Sequence, residues 1–272
     1  MVKLRSDGRK IKRLFADIET SPNIVLAFSA GYNLTINHDA IIHERKVICI
    51  GYKWQGDKKT KVLRWDKDQD DRSMLIEFFK IAEEADEIVA HFGNGFDIPW
   101  LRTRCLFHRL APTPLYKIVD TKAVASRYFY FNSNKLDYIS NFLGHGRKLE
   151  TKFDLWKRIL MDNCQKSLNY MCKYCGIDVD RLESVFLDFE PYMQPMSHAG
   201  VMMGKEKWTS PRDGTDKVVK HKTRTTLSGA IQHQMKSLTD GSYFTISDAT
   251  YKKFLEAKKV PALRLPAKKR NR

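Results

Sequence analysis

The pattern of apolar and polar residues near the N-terminus predicts several β-strands. Residues 12–19 alternate and then run apolar, as an interior strand does. Residues 23–30 and 46–54 show the same strand-like character, and a turn at Gln55–Asp57 leads into a short strand at Lys61–Trp65. The pattern therefore predicts an antiparallel meander of three to four strands.

A helical period replaces the strand period after Asp71, which we place as a helix cap. The apolar stripe of this helix consists of Met74, Leu75, Phe78, Phe79 and Ala82. Ile88–Phe92 then reads as a buried strand, and a helix with Pro99 in its first turn follows it. Further helices are expected near residues 120–128, 135–143 and 166–189. Antiparallel strands followed by alternating strands and helices indicate an α/β fold.

The pattern weakens beyond Pro191, where Pro, Ser, Gly and Thr are scattered among basic residues. We therefore expect one domain in residues 1–190 and a small basic C-terminal appendage in residues 191–272. Within the appendage the sequence predicts two short strands, a helix and a flexible tail, at residues 217–219, 242–246, 248–259 and 268–272.

The charge of the chain is strongly positive and unevenly distributed. The formal net charge is +16, and residues 191–272 contain 17 Lys and Arg against 6 Asp and Glu. Such an excess attracts a polyanion, so the composition favours nucleic acid as a partner over a membrane surface. A merely solubilising basic tail is the alternative.

Four acids in apolar surroundings are the candidate chemistry of the chain. Asp17 and Glu19 lie two apart on the first strand, so both project from one face. Asp97 opens a helix, and Asp178 follows Tyr174 by four residues on the face of another helix. Carboxylate oxygens suit Mg²⁺ or Mn²⁺, and two such ions about 4 Å apart can activate water against a phosphodiester. The acids therefore predict a metal-dependent nuclease.

These residues resemble a known family. Asp17 to Glu19, Asn94 to Asp97 and Tyr174 to Asp178 are similar, in order and spacing, to the three exonuclease motifs of the DEDD superfamily in its tyrosine-bearing branch, which includes the proofreading domains of DNA polymerases. The resemblance covers roughly residues 11–190. It implies a ribonuclease H-like mixed sheet flanked by helices, and a stand-alone phage or prokaryotic enzyme.

The resemblance also implies a role for each site residue. Asp17 would bridge two divalent cations, Mg²⁺ or Mn²⁺. Glu19 and Asp178 would complete the site of the nucleophile-activating ion, while Asp97 would support the second ion. Tyr174 would orient the attacking water, because a phenol with a pKa near 10 is a poor base at neutral pH. The implied reaction is 3′–5′ exonucleolytic hydrolysis of single-stranded DNA to 5′-mononucleotides.

Four further residues are candidates for substrate contact. By the same resemblance, Thr20 would present its backbone N–H to the terminal nucleotide. Lys135 is a candidate for phosphate contact. Phe96 is one of several aromatic residues that either wedge against the terminal base or belong to the core. Asn94 is either a contact to the terminal sugar or the metal-bound water, or a turn residue before a glycine.

Two other functions stay open at this point. An RNA-trimming exonuclease of the ribonuclease D type would use the same chemistry, and we identify no residue that reads the 2′-hydroxyl. A non-catalytic nucleic-acid-binding subunit would keep the fold but gain nothing from clustered, mutually repelling carboxylates. A replication or recombination protein is the further partner that the resemblance suggests.

The remaining composition indicates a cytoplasmic protein. No apolar stretch approaches the ~20 residues that span a membrane, and residues 1–6 lack the core of a signal peptide. The five cysteines are odd in number, which favours reduced thiols, and Cys172 and Cys175 are expected to be structural rather than zinc ligands. Residues 208–215 resemble a zinc-ribbon knuckle whose cysteines are replaced, so we expect no zinc in the appendage.

Overall fold

The computed structural model describes residues 11–31, 34–111, 114, 116–147 and 149–259. The flexible tail expected at residues 268–272 lies outside the described residues. The chain forms two compact units, of which the first comprises Lys12–Met193 and the second contains Ile11 and the residues from Gln194 onward. The four acids all belong to the first unit.

The first unit contains strands and helices in alternation after its N-terminal strands. The strands are β1 (Arg13–Thr20), β2 (Ile24–Val25), β3 (Ile41–His43), β4 (Val47–Trp54), β5 (Lys61–Arg64), β6 (Glu87–Ala90) and β7 (Ile118–Asp120). The helices are α1 (Arg72–Ala82), α2 (Asp97–Phe107), α3 (Thr121–Tyr128), α4 (Leu136–Phe142), α5 (Phe153–Met161) and α6 (Gln165–Phe189), besides a single 3-10 turn at His38–Ala40.

The central strand β1 belongs to a five-stranded mixed sheet with the order β5-β4-β1-β6-β7. It pairs antiparallel with β4 and parallel with β6. Its side chains alternate between two helical layers, because Leu14 and Ile18 pack with α1 and α2 whereas Phe15 packs with α6. Asp17 and Glu19 follow Phe15 at intervals of two residues, so they share the face that α6 covers.

The long helix α6 packs closely on β4, beside β1. Gly51 of β4 lies opposite Asp17 in the strand register. A Cβ built on Gly51 would lie 2.9 Å from Cγ2 of Val179 and 3.2 Å from the carbonyl oxygen of Cys175. Because both neighbours belong to α6, the helix reaches this position only where the strand has no side chain.

Most elements predicted for this unit are confirmed, but the strand predicted at residues 23–30 is wrong. Only Ile24–Val25 is extended there, and it pairs with β3 in a separate two-stranded sheet. Both edges of β1 are already paired with β4 and β6, which leaves no edge for a further strand. We did not predict α5 from the sequence, although Leu155, Trp156, Ile159 and Leu160 recur at helical spacing and pack in one cluster.

The second unit consists of a three-stranded antiparallel sheet and two helices in its described residues. Its elements are α7 (Ala199–Met202), β8 (Val218–Thr225), β9 (Ile231–Ser237), β10 (Tyr243–Ser247) and α8 (Asp248–Lys259), with the strand order β10-β9-β8. The predicted β10 and α8 are confirmed, whereas β8 extends well beyond its predicted end and β9 has no predicted counterpart. Most residues of β9 are polar, so an alternation of apolar residues is absent from its sequence.

Helix length and polarity also bear on membranes. Across the described part of the chain, no helix is both long and apolar enough to cross a bilayer.

The close approach at Gly51 predicts the effect of a single methyl group. We expect Gly51→Ala to lower the free energy of unfolding by roughly 1–3 kcal/mol, because the stiff Val179 side chain and the α6 backbone must move. Gly31→Ala is the control, since a Cβ there would meet no atom within 4 Å. Chemical denaturation measures both variants, and equal stabilities would contradict the assigned packing.

Candidate active site

A group of three carboxylates sits where β1 meets α6. Asp17 and Glu19 come from β1, and Asp178 comes from the buried face of α6. One ligand oxygen of each acid lies within 4.8 Å of those of the other two. Like charges at this separation repel one another, and a divalent cation between them removes the repulsion. The structure thus brings together three acids that lie in separate sequence motifs.

Asp97 lies beside this group at the start of α2 and is only 4% exposed. Its Oδ1 accepts a hydrogen bond of 3.2 Å from the backbone N–H of Ile18, the residue between Asp17 and Glu19. Burial, with a smaller contribution from the nearby Asp120, raises the pKa of Asp97 to about 7 against the effect of its backbone hydrogen bonds. A bound cation stabilises the charged form of a carboxylate in such a setting.

All four acids line one pocket of about 510 Å³. Its other lining residues are supplied by β1, the turn before α2, α3 and the segment that begins α4: Ile18, His91, Phe92, Phe96, Lys122, Asn134, Lys135, Leu136 and Asp137. The pocket therefore combines carboxylates, a residue type that suits divalent cations, with lysines, which suit phosphates, and with aromatic rings, which suit the stacking of bases.

Phe92 has an unusual backbone and is 44% exposed at this pocket. Its φ of 70° lies in the left-handed region, which favours Gly, Asn or Asp over an aromatic residue. Asp120 holds the turn, because it accepts the backbone N–H groups of Phe92 at 3.0 Å and Asn94 at 3.3 Å. The Nζ of Lys122 lies 3.8 Å from the centroid of the Phe92 ring. Backbone strain kept at a pocket wall suggests that the ring has a function.

His91 connects this turn to the segment that carries Lys135. Its Nδ1 lies 2.9 Å from Oγ1 of Thr121, and its Nε2 lies 2.9 Å from the backbone oxygen of Asn134. Burial lowers the pKa of His91, so the neutral imidazole is favoured. Both ring nitrogens make hydrogen bonds to neighbouring segments, so His91 has a positioning role at the pocket.

Two of the predicted substrate residues line the pocket, namely Phe96 and Lys135. Asn94 contributes its backbone N–H to the turn and is not among the lining residues described for this pocket. Phe92, another of the aromatic residues considered with Phe96, also lines it, whereas Lys122 lines it but was not identified from sequence. The conformation of Phe92 depends on tertiary contacts, and Lys122 lies in a helix without a motif of its own.

Thr20 lines a neighbouring pocket of about 480 Å³, which shares Glu19 with the first. Its side-chain oxygen accepts a hydrogen bond of 2.8 Å from Nη2 of Arg45, and its backbone oxygen accepts one of 3.1 Å from Nε1 of Trp156. Exposed Phe153 completes one side of this pocket. The contacts of Thr20 to Arg45 and Trp156 therefore position the end of β1.

Tyr174 lies on α6 one turn before Asp178, as its spacing predicts. Its side chain is buried in an apolar cluster that includes Met171 and Cys175. It is not among the described lining residues of the pocket that contains the four acids. The role predicted for Tyr174 in orienting water therefore stays a prediction.

Of the two cysteines predicted to be structural, Cys175 is buried and Cys172 is partly buried. All five are free thiols, and Cys49, Cys105 and Cys175 are buried. The Sγ of Cys175 donates to the backbone oxygen of Asp17 at 3.5 Å. The buried thiol of Cys175 therefore packs between α6 and β1.

A second group with metal-ligand residue types consists of Asp70, Asp71 and His108. Asp71 is the N-cap residue of α1, as predicted, but its side chain makes no capping hydrogen bond. Both of its oxygens accept bonds from Arg104, at 2.7 and 2.9 Å, and one also accepts the backbone N–H of Val47 at 3.0 Å. Burial alone would raise the pKa of Asp71, but these bonds and the one to His108 lower it. Because its carboxylate is already neutralised, this group is a structural ion pair rather than a metal site.

Comparison with known proteins identifies the family. The family described as the RNase_H superfamily (RNase_H_2) matches residues 36–189, which is more than half of the chain. The chain therefore belongs to the RNase H superfamily, and the predicted ribonuclease H-like α/β fold is confirmed. The match begins after Asp17 and Glu19, so the assignment of these two acids depends on the geometry described above.

A solved structure with a similar fold is the family B DNA polymerase from the hyperthermophilic archaeon Pyrobaculum calidifontis. The TM-score is 0.50 and the identity 16%, and the alignment covers 68% of this chain and 26% of the polymerase. The chain thus spans about a quarter of that protein, and the similarity concerns the fold alone. No curated protein matches the chain.

The buried pair at Asp71 predicts a pH-dependent contribution to stability. The folded-state pKa of Asp71 is lowered, so its contribution is present above the unfolded pKa of about 3.9 and is lost as pH falls through the folded value. We expect Asp71→Asn to cost roughly 3–5 kcal/mol at neutral pH and progressively less below pH ~4. Asp70→Asn is the control, because Asp70 is half exposed. Chemical denaturation at several pH values measures the free energy of unfolding of both variants, and equal losses of stability would refute this assignment.

Proposed function

We propose that the chain is a two-metal-dependent 3′–5′ exonuclease of the tyrosine-bearing DEDD branch, which hydrolyses single-stranded DNA to 5′-mononucleotides. The observation that carries the proposal is the convergence of Asp17, Glu19 and Asp178 within 4.8 Å, beside buried Asp97. Membership of the RNase H superfamily and the fold shared with a family B DNA polymerase support it. A role beside a replication or recombination protein is part of the same proposal.

The donor set fits divalent Mg²⁺ or Mn²⁺. Asp17, Glu19 and Asp178 would hold one ion, and Asp17 with Asp97 would hold the second. All the donors are hard carboxylate oxygens, and they come from three elements fixed by core packing. When bound, the pair of cations would lower the pKa of a water and offset the negative charge that develops on the phosphodiester.

The protein side chains would bind and orient the DNA end. The Phe92 ring, exposed at the pocket, offers a face on which the terminal base can stack. Lys122 and Lys135 line the same pocket and supply positive charge to the phosphate. Stacking and phosphate contact carry little base preference, which suits an exonuclease that removes each nucleotide in turn.

Two variants on α6 test the catalytic assignment. We expect Asp178→Asn to reduce nucleotide release at least 100-fold, because it removes a charged metal ligand while it preserves side-chain shape. Asp180→Asn is the matched control, since Asp180 points instead to Lys53 and Thr60 and is half exposed. The assay follows the stepwise shortening of 5′-labelled single-stranded DNA and matched RNA, with Mg²⁺ or Mn²⁺ and with EDTA.

The outcomes separate the candidate functions. Activity of Asp178→Asn above a tenth of the wild-type rate would end the nuclease assignment at this site. If the wild-type protein bound DNA but hydrolysed none with either Mg²⁺ or Mn²⁺, a non-catalytic binding subunit would be favoured. Preferential hydrolysis of RNA would favour the ribonuclease D type.

Phe92 provides a second test, directed at substrate binding. We expect Phe92→Asn to raise KM for single-stranded DNA about tenfold with a smaller change in kcat, because stacking on the ring is lost while Asn tolerates the left-handed backbone. Phe92→Tyr keeps the ring and should retain the wild-type KM. Steady-state kinetics with circular dichroism of both variants measures this, and an unchanged KM for Phe92→Asn would remove the ring from the substrate site.

A further inference from the structure

The sheet of the second unit has two chemically different faces. Along β10, the side chains of Phe244 and Ile246 are buried, whereas Tyr243 and the alternate residues are exposed. Met235 of β9 pairs with Phe244, and both pack with Phe254 of α8. The inner face therefore forms the small core of this unit, and the outer face remains exposed.

The outer face gathers basic and aromatic side chains from all three strands. Lys222 and Arg224 of β8 pair with Gln234 and Gln232 of β9, and Lys236 of β9 pairs with Tyr243 of β10. Paired residues of antiparallel strands lie side by side on one face, so these residues form adjoining rows. Three strands make a face about 10 Å wide, since neighbouring strands lie ~4.8 Å apart.

A bulge in β8 adds a further ring to this face. The register of β8 against β9 shifts between Lys220 and Lys222, which leaves His221 as the extra residue. The His221 ring lies 5.0 Å from the Tyr243 ring in an edge-on arrangement, and the Nζ of Lys236 lies 5.6 Å from the centroid of the same tyrosine. Tyr243 is thus held between a histidine and a lysine, with 42% of its surface exposed.

The charge of the sheet has a single sign. β8, β9 and β10, which the structure describes throughout, contain Lys and Arg but no Asp or Glu. Acids of the same unit lie elsewhere, as Asp248 does on α8, where it pairs with Lys252. A face that was only solvated would be expected to mix both signs, so the segregation favours a negatively charged partner.

We propose that this outer face, defined by Lys222, Arg224, Lys236, His221 and Tyr243, is a binding site for single-stranded nucleic acid. The basic residues would contact phosphates, and the exposed Tyr243 ring would stack on a base. A single strand presents both groups to a flat, narrow face, whereas in a duplex the bases are stacked on each other. The site would act independently of hydrolysis and so goes beyond the proposed function.

The test uses the full chain and fluorescein-labelled oligothymidylate in EDTA, with anisotropy measured at several salt concentrations. We expect the double variant Lys222→Thr and Arg224→Thr to flatten the salt dependence by about 1.4 in log K against log salt, and to weaken binding about 25-fold near 0.1 M salt. Threonine suits a strand, so the fold should persist. Tyr243→Ala should weaken binding at least fivefold with the salt slope unchanged, and Tyr243→Phe should restore it.

The matched control removes the same charge from the helical layer of the same unit. Lys252→Ala with Lys253→Ala takes two exposed charges from α8 and should leave the salt slope close to that of the wild type. An equal loss of affinity in the two double variants would mean that only net charge matters, and this would overturn the proposal. The proposal would also be overturned if the Tyr243→Ala variant and the β8 double variant bound the oligonucleotide as tightly as the wild type does. Because EDTA is present throughout, the result does not depend on nuclease activity, which the oligonucleotide assay with Mg²⁺ decides separately.

Discussion

The packing of α6 against the central sheet is the constraint on which the candidate active site depends. Asp17 and Glu19 stand on β1, and Asp178 reaches them because Gly51 leaves space for the α6 backbone. The carboxylates repel one another, so their proximity costs free energy that apolar burial must offset. Phe15 and its neighbours on α6 provide that burial within the same interface. The site is therefore held in place by packing energy rather than by attraction between its own groups.

Neutralisation of charge distinguishes Asp71 from Asp97, although Asp178 of the candidate site also has a cationic partner, since Nη1 of Arg181 lies 3.2 Å from its Oδ1. Asp71 has the same residue type and burial as a metal ligand, yet Arg104 binds both of its oxygens and satisfies the charge within the protein. Asp97 is equally buried, but burial raises its pKa to about 7, because the backbone N–H of Ile18 compensates for only part of the cost. A buried acid with this deficit fits a site that a cation completes. The comparison explains why residue types alone would place a metal at Asp71 and the geometry does not.

Much of the fold follows from sequence patterns, whereas the walls of the pocket do not. The interior strand at residues 13–20 and the long helix at 165–189 show clear periods, and the acids stand out because their flanks are apolar. Phe92 gives no such signal, because its left-handed backbone is imposed by hydrogen bonds to Asp120 from a different strand. The segment 23–30 has a strand-like composition, but its state depends on whether β1 has a free edge, which is a property of the assembled sheet.

The acidic pocket and the basic excess of the chain have opposite electrostatic effects on a polyanion. A cluster of carboxylates that holds cations repels the phosphate backbone whenever the cations are absent or incompletely neutralise it. Lys122 and Lys135 line the pocket, but two lysines alone would give only a modest, salt-sensitive attraction to a nucleic acid. Basic residues outside the pocket add affinity without forming ion pairs with the carboxylates of the pocket, since they need not approach them. The acid-free sheet with Lys222, Arg224 and Lys236 would supply such charge, so the proposed metal site would remain strongly acidic while the proposed nucleic-acid site attracts a polyanion.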